Sequence, residues 1–324
     1  MQAPARDRLR KALDFAPLIL LVVLTALFAA IDPRIVSGES LVNIVAQATP
    51  IAILAIGALI VLLTAGIDLS AGVGVAFCAV FMASLIDAGL GLPLALACGM
   101  AAMIAIGMLN GWVIAYLKIP AFVTTLAAMV ALQGATLAVA SKGVLVLKQP
   151  VLKFVGIDRS FGISNSIFAT AIVVVLALIL MRRTRFGLRT YALGSDPAAA
   201  ELAGIPVKSH TILVYAVSGL FVFLTAALMI SRVPVVTPNI GGSSLLLDAI
   251  AAAVIGGTSI FGGRGTVTGA VIGAIIVSLL TTALRVFGVD PSSLDLYKGL
   301  IIMVALLADS GMTRLKTELD GVAR

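Results

Sequence analysis

The side chains that could do chemistry in this 324-residue chain are few and scattered, with 15 acidic residues, one histidine and two cysteines. A metal site built on imidazole needs several ligands converging on one point. The lone His210, at the edge of an apolar run, cannot supply them, and no carboxylate cluster replaces them. Cys78 and Cys98 lie inside apolar runs without a paired-cysteine motif, and read as small buried hydrophobes. The glycine-rich GVG and GGRG stretches neither follow a strand nor open a βαβ unit, so they are not dinucleotide loops. No Gly-Lys-Ser/Thr phosphate-binding sequence occurs. No catalytic residue is assigned, and neither metal nor cofactor is expected in this chain.

The carboxylates that draw attention are those among apolar residues. Asp68 lies between two apolar runs and is followed by Ser70, Gly72 and Gly74. An acid near the hydrocarbon of a bilayer is costly and faces a cavity or a partner. Gly66 and Gly72 permit an interrupted helix whose free N–H groups meet Asp68 or Ser70, so Asp68 is either a satisfied structural acid or part of a solute path. Asp248 opens another apolar run, where the helix macrodipole favours an acid. Asp295 and Lys298 stand three apart and can pair on one helix face.

The elements that must position these residues are membrane helices. Hydrophobic residues make up 61% of the chain and charged residues 11%, with a mean hydropathy of +1.18, well outside the soluble globular range. Ten apolar runs fall at about 15–31, 41–65, 70–87, 92–117, 121–140, 164–181, 210–230, 245–261, 266–287 and 294–308. The expected fold is an all-α polytopic bundle of about ten spans, some short or broken. It forms one domain over 1–324, embedded from 14 to 309, with a charged tail at 310–324. The first run follows Arg6, Arg8, Arg10 and Lys11 but lacks a small-residue cleavage site, and reads as a retained span. The net charge of +7 clusters beside span ends without interleaved aromatics, which argues against nucleic acid and for orientation. With both termini cytoplasmic, most Lys and Arg fall on the inner side. The long outer connection 141–163 mixes Lys142, Lys148, Lys153 and Arg159 with apolar residues, as a surface that meets something or as a plain solvated loop.

Gly107 and Gly111, and then Gly265, Gly269 and Gly273, recur at helical spacing and suggest faces where helices pack closely. The hairpins around Thr64–Gly74 and Phe261–Gly273 look alike and hint at a weak internal repeat. The least membrane-like stretch is 182–208. Arg182, Arg183, Arg185 and Arg189 precede Asp196-Pro197, an alanine run, Gly204 and Pro206. Asp196 suits an N-cap, Pro197 the first helical position and Gly204 a left-handed terminus. A helix of about seven residues spans only ~10 Å, too short to cross a bilayer, so it must rest on something.

GIDLSAG at 66–72, NGWVIAYLKIPAFVTTLA at 110–127, ALGSDPAAAELAGIPV at 192–207 and LDAIAAAVIGGTSIFGGRGTVTGAVIGA at 247–274 together resemble the ribose-type permeases of bacterial ABC sugar importers. The likeness runs from about residue 40 to 308. It implies a ten-span subunit of the cytoplasmic (inner) membrane that pairs with a second permease copy or homologue within the lipid. Sugar would arrive from an extracytoplasmic solute-binding protein, and two cytoplasmic ABC ATPase subunits, carrying ATP and its Mg, would drive alternating access. It also implies that 182–208 is the cytoplasmic coupling segment, with Gly194, Asp196, Ala199, Ala200 and Gly204 at the docking positions. Ser195, Asp196 and Glu201 depart from the common pattern there. Ser70, Asn110 and Thr258 become candidates for a hydroxyl-bearing sugar path, with Asp68 and Asp248 on it or supporting it. An ion- or proton-coupled secondary transporter is the alternative, and it would use Asp68 and Asp248 as coupling acids.

Overall fold

The computed structural model describes residues 15–140, 143–147, 149–290, 293–300 and 303. Backbone polar groups in lipid have no water to bond, so the apolar runs close their own hydrogen bonds as helices. In chain order these are α1 (Ala16–Ile31), α2 (Gly38–Leu62), α3 (Ser70–Asp87), α4 (Leu92–Leu117), α5 (Ala121–Val139), α6 (Pro150–Gly156), α7 (Asn165–Arg183), α8 (Arg185–Ser195), α9 (Pro197–Leu202), α10 (Val207–Arg232), α11 (Gly242–Ile255) and α12 (Val267–Val286). Among the described residues, seven of them are long and apolar enough to cross a membrane: α2, α3, α4, α5, α7, α10 and α12. The 14-residue α11 measures about 21 Å, short of a hydrocarbon core of about 30 Å, and α1 is also short. Of the tenth expected run, residues 294–300 are helical, and most of the remainder lies outside the described residues.

Helix α2 is the central post. Ile53 to Ile56 and Leu59 to Leu63 are all nearly fully buried, with α10, α11 and α12 packed around it. Pro50 sits inside α2 and has no N–H to give the Ala46 carbonyl. Arg232, at the end of α10, fills that place: its Nη1 donates to Ala46 O at 2.6 Å and to Thr49 Oγ1 at 3.1 Å.

Small residues set two close helix pairs. A Cβ on Gly107 of α4 would lie 2.2 Å from the Tyr215 carbonyl oxygen of α10, and one on Gly111 would lie 2.7 Å from Ile212 Cα. On the α11–α12 side, a Cβ on Gly269 would lie 2.0 Å from the Gly256 carbonyl oxygen, and one on Gly273 would lie 1.9 Å from that of Ala252. The expected three-glycine face is corrected to two. Thr266 caps α12 by accepting from Gly269 N at 3.0 Å, which leaves Gly265 in the preceding turn with φ of 153°.

Four two-residue strands qualify the all-α expectation. β1 (Leu145–Val146) pairs antiparallel with β4 (Val235–Val236), and β2 (Arg159–Ser160) pairs with β3 (Ile163–Ser164). The connection 141–163 is therefore partly built rather than a plain loop. Its α6 packs so closely on α10 that a Cβ on Gly156 would meet the Ser231 carbonyl at 2.1 Å. Lys142 and Lys148 lie outside the described residues.

Candidate functional site

The stretch between α7 and α10 forms two helices. In α8, capped by Thr184 accepting from Phe186 N at 3.1 Å, Phe186, Gly187, Thr190 and Leu193 are buried while Arg182, Arg183 and Arg185 beside or on it are exposed. His210, in the first turn of α10, is buried; its Nε2 lies 3.0 Å from Thr190 Oγ1 and its ring lies tilted against Phe186 with centroids 5.3 Å apart. Asp196 then starts α9, where its Oδ1 accepts from Ala198 N at 2.9 Å and Ala199 N at 3.0 Å. Gly204, with φ of 79°, ends it. Ala200 does not belong to the free face, because it is 4% exposed and turned inward. Ala198, Ala199, Glu201 and Leu202 face outward, Leu202 at 90% exposure.

Two turns meet the end of α8, just before α9. Gly194 lies so near the α2–α3 turn that a Cβ on it would stand 1.6 Å from the Leu63 carbonyl oxygen. That same carbonyl accepts from Gly263 N at 2.9 Å, which brings in the α11–α12 turn. Tyr191 Oη donates to Gly265 O at 2.8 Å, and burial pushes this phenol above its usual range, with Arg182 acting the other way. Ser195 Oγ bonds back to Tyr191 O at 2.9 Å. The two look-alike hairpins thus touch each other at their turns.

Asp68 lies in the α2–α3 turn itself. Its Oδ1 accepts from Ser70 N at 3.0 Å and Ser70 Oγ at 2.5 Å, and its Oδ2 from Ser218 Oγ at 3.3 Å. Asn110 Nδ2 donates to Ser70 Oγ at 3.2 Å, so α3, α4 and α10 converge on this acid. Thr125 of α5 accepts from Leu69 N at 3.1 Å and its hydroxyl lies 3.1 Å from Ile67 O, locking the turn. Asp68, Ser70 and Asn110 are thus assembled as one hydrogen-bonded knot, with Ser70 and Asn110 each 4% exposed. Thr258 is elsewhere, in the α11–α12 turn beside Gly265, buried and with no partner for its hydroxyl among the described residues. Ser218 and Thr125 are not singled out in the sequence: Ser218 is one hydroxyl in an apolar run, and Thr125 follows Thr124 inside the 110–127 stretch with nothing local to tell which of the two reaches the turn.

Asp248 also stands apart and corrects its own expectation. It lies in the second turn of α11, not at its start, and Lys298 Nζ approaches its two carboxylate oxygens at 2.9 and 3.0 Å. The expected Asp295–Lys298 contact exists at 3.3 Å but is the weaker arm, with Asp295 74% exposed. Among the described residues no group of His, Cys, Asp and Glu is arranged to hold a metal ion.

A family profile described as the branched-chain amino acid transport system / permease component matches residues 40–308. The chain belongs to this permease family. It is a multi-pass membrane permease component by that membership and by its apolar helices. Similar permeases include the ribose import permease protein of Escherichia coli, 34% identical over 297 residues that cover 90% of this chain and 92% of the relative. The fructose import permease protein of Rhizobium meliloti is 34% identical over 90% of this chain and 84% of its own length. The galactose/methyl galactoside import permease protein of Salmonella typhimurium is 33% identical over 90% and 92%.

Proposed function

We propose that this permease is the membrane-spanning subunit of an ATP-driven, binding-protein-dependent importer of a monosaccharide. The observation that carries the reading is near-full-length likeness to import permeases for ribose, fructose and galactose. The family description names branched-chain amino acids, but the relatives that cover nine-tenths of the chain take sugars. A second permease copy or homologue and an extracytoplasmic binding protein complete the assembly, and both termini face the cytoplasm. Energy enters from a separate ATPase that carries ATP and Mg.

The short capped α9, exposed over Ala198, Ala199, Glu201 and Leu202, is the element that fits a groove on that ATPase. Exposed Arg182, Arg183 and Arg185 meet acids or anionic headgroups beside it. Gly194 passes any displacement of α9 to Leu63 and so to the turn that carries Asp68. ATP binding closes the ATPase pair, draws α9 and rocks the permeases between outward and inward openings. Asp68, Ser70 and Asn110 then support the path rather than line it, since their polar atoms are already engaged with one another.

The ion-coupled reading would need titrating carboxylates, and the two it named are tied up, Asp68 by serine donors and Asp248 by Lys298. Uptake of labelled sugar into sealed vesicles holding the whole assembly tests the choice. ATP-dependent uptake that persists after collapse of the proton gradient is expected; gradient-driven uptake without an ATPase chain overturns the reading.

A further inference from the structure

At the end of the bundle away from α9 lies a cavity of about 640 Å³. It is walled by the last turns of α10 and α12, parts of α2 and α11, and residues 294–298. Gln47, Arg232, Asn239, Asp248, Arg285 and Lys298 bring polar atoms to it, and Pro50, Met229 and Leu245 bring apolar surface. A second cavity of about 520 Å³ shares Asn239, Ser244 and Asp295 with the first and continues toward Gln133 and Thr136 of α5.

Ionised groups inside a membrane bundle are expensive and sit where they are used. Lys298 is matched by Asp248 and Asp295, Arg232 is turned to the Ala46 carbonyl and Thr49, and Arg285 stands exposed at the rim. What is left for a ligand is spare lone pairs on Asp248, the remaining N–H groups of Arg232 and Arg285, and the two-way amides of Gln47 and Asn239. Donors and acceptors side by side, next to apolar surface, suit a neutral molecule whose hydroxyls both give and take hydrogen bonds and whose C–H faces are apolar.

We infer that this cavity is a sugar-receiving site inside the permease itself, in which the Asp248–Lys298 pair and the amides of Gln47 and Asn239 hold a neutral monosaccharide. The inference rests on the sugar-importer reading. The ion pair acts twice: it joins α11 to the last helical segment and it presents the hydrogen-bonding groups. Solute thus meets the permease about 20 Å along α2 from the turn that senses α9.

The test uses the complete importer in proteoliposomes, with ATP-driven uptake of labelled D-ribose, D-fructose and D-galactose, basal ATPase and thermal melting measured together. For the sugar that the wild-type assembly carries best, Asn239→Ala and Gln47→Ala are expected to lower uptake by about tenfold each, the size of one lost hydrogen bond to a bound ligand. ATPase and melting stay as in wild type. The double swap Asp248→Lys with Lys298→Asp keeps an ion pair, and is expected to retain assembly and basal ATPase while losing uptake. Wild-type uptake in the swap, or in both amide variants, overturns the inference and leaves the pair a simple clamp. Should the swap not assemble, the two amide variants decide alone. If the wild-type assembly carries none of the three sugars and no other pentose or hexose in an ATP-dependent way, the importer reading falls and this inference with it.

Discussion

At the scale of single residues, the most constrained atom in the coupling region is one that Gly194 lacks. Ala in its place would put a methyl group 1.6 Å from the Leu63 carbonyl oxygen, where backbone rather than a flexible side chain would have to move. Gly194→Ala is expected to lower stability by about 1–3 kcal/mol, as overpacked sites do, and to leave ATP hydrolysis poorly linked to uptake. Melting in detergent, with the ratio of sugar moved to ATP split, checks this; an unchanged ratio removes Gly194 from the coupling route. Gly194 was legible as a family position but its reason was not, because the Leu63 carbonyl lies 131 positions away in the chain. The same holds for Asp248, whose partner Lys298 is 50 residues distant. Nothing local marks either contact, whereas Asp196 and Gly204 were readable because capping is settled within one turn of chain.

At the scale of elements, α9 is the piece whose formation can be adjusted without touching the membrane core. Asp196→Ala removes the acceptor for Ala198 N and Ala199 N, which costs about 1 kcal/mol at a typical N-cap. Most of that loss falls on a helix of six residues. The expected result is reduced retention of the ATPase and reduced uptake with little change in melting, and Asp196→Asn, an equally good cap, restores both. Co-purification of the ATPase with each variant is the measurement; equal retention in all three would show that α9 needs no cap to dock. Its neighbour α8 was missed in the sequence. The four arginines read only as a basic stretch ahead of α9, although Phe186, Thr190 and Leu193 repeat at four and three residues, the spacing of one buried helix face. Gly265 shows the opposite error: spacing alone extended α12 by two residues, and the Thr266 cap would have started it correctly.

At the scale of the whole molecule, the ionised groups inside the bundle gather in two places, the knot around Asp68 and the cavity around Asp248. The composition made the membrane class and the approximate span number legible, since bilayer thickness alone selects runs of that length. Which spans are central was not legible: α2 and α4 have almost the same hydropathy, yet α2 is mostly buried and α4 mostly not. Helices α4, α5 and α7 therefore leave apolar faces toward lipid or a second permease.

The proline in α2 has a bearing on how those two places communicate. Around Pro50 the post lacks one internal hydrogen bond, so it can bend there more cheaply than elsewhere, and Arg232 reaches across from α10 to grip the carbonyl set free. Pro50→Ala would return an N–H to Ala46 and compete with that grip. It is expected to raise the melting temperature and slow uptake, whereas a melting temperature at or below wild type would mean that Pro50 is not a soft point. If the post does flex at this turn, the arginine works as a detent: it gives the bend a preferred resting position, so that the bundle snaps between two shapes instead of drifting through a continuum.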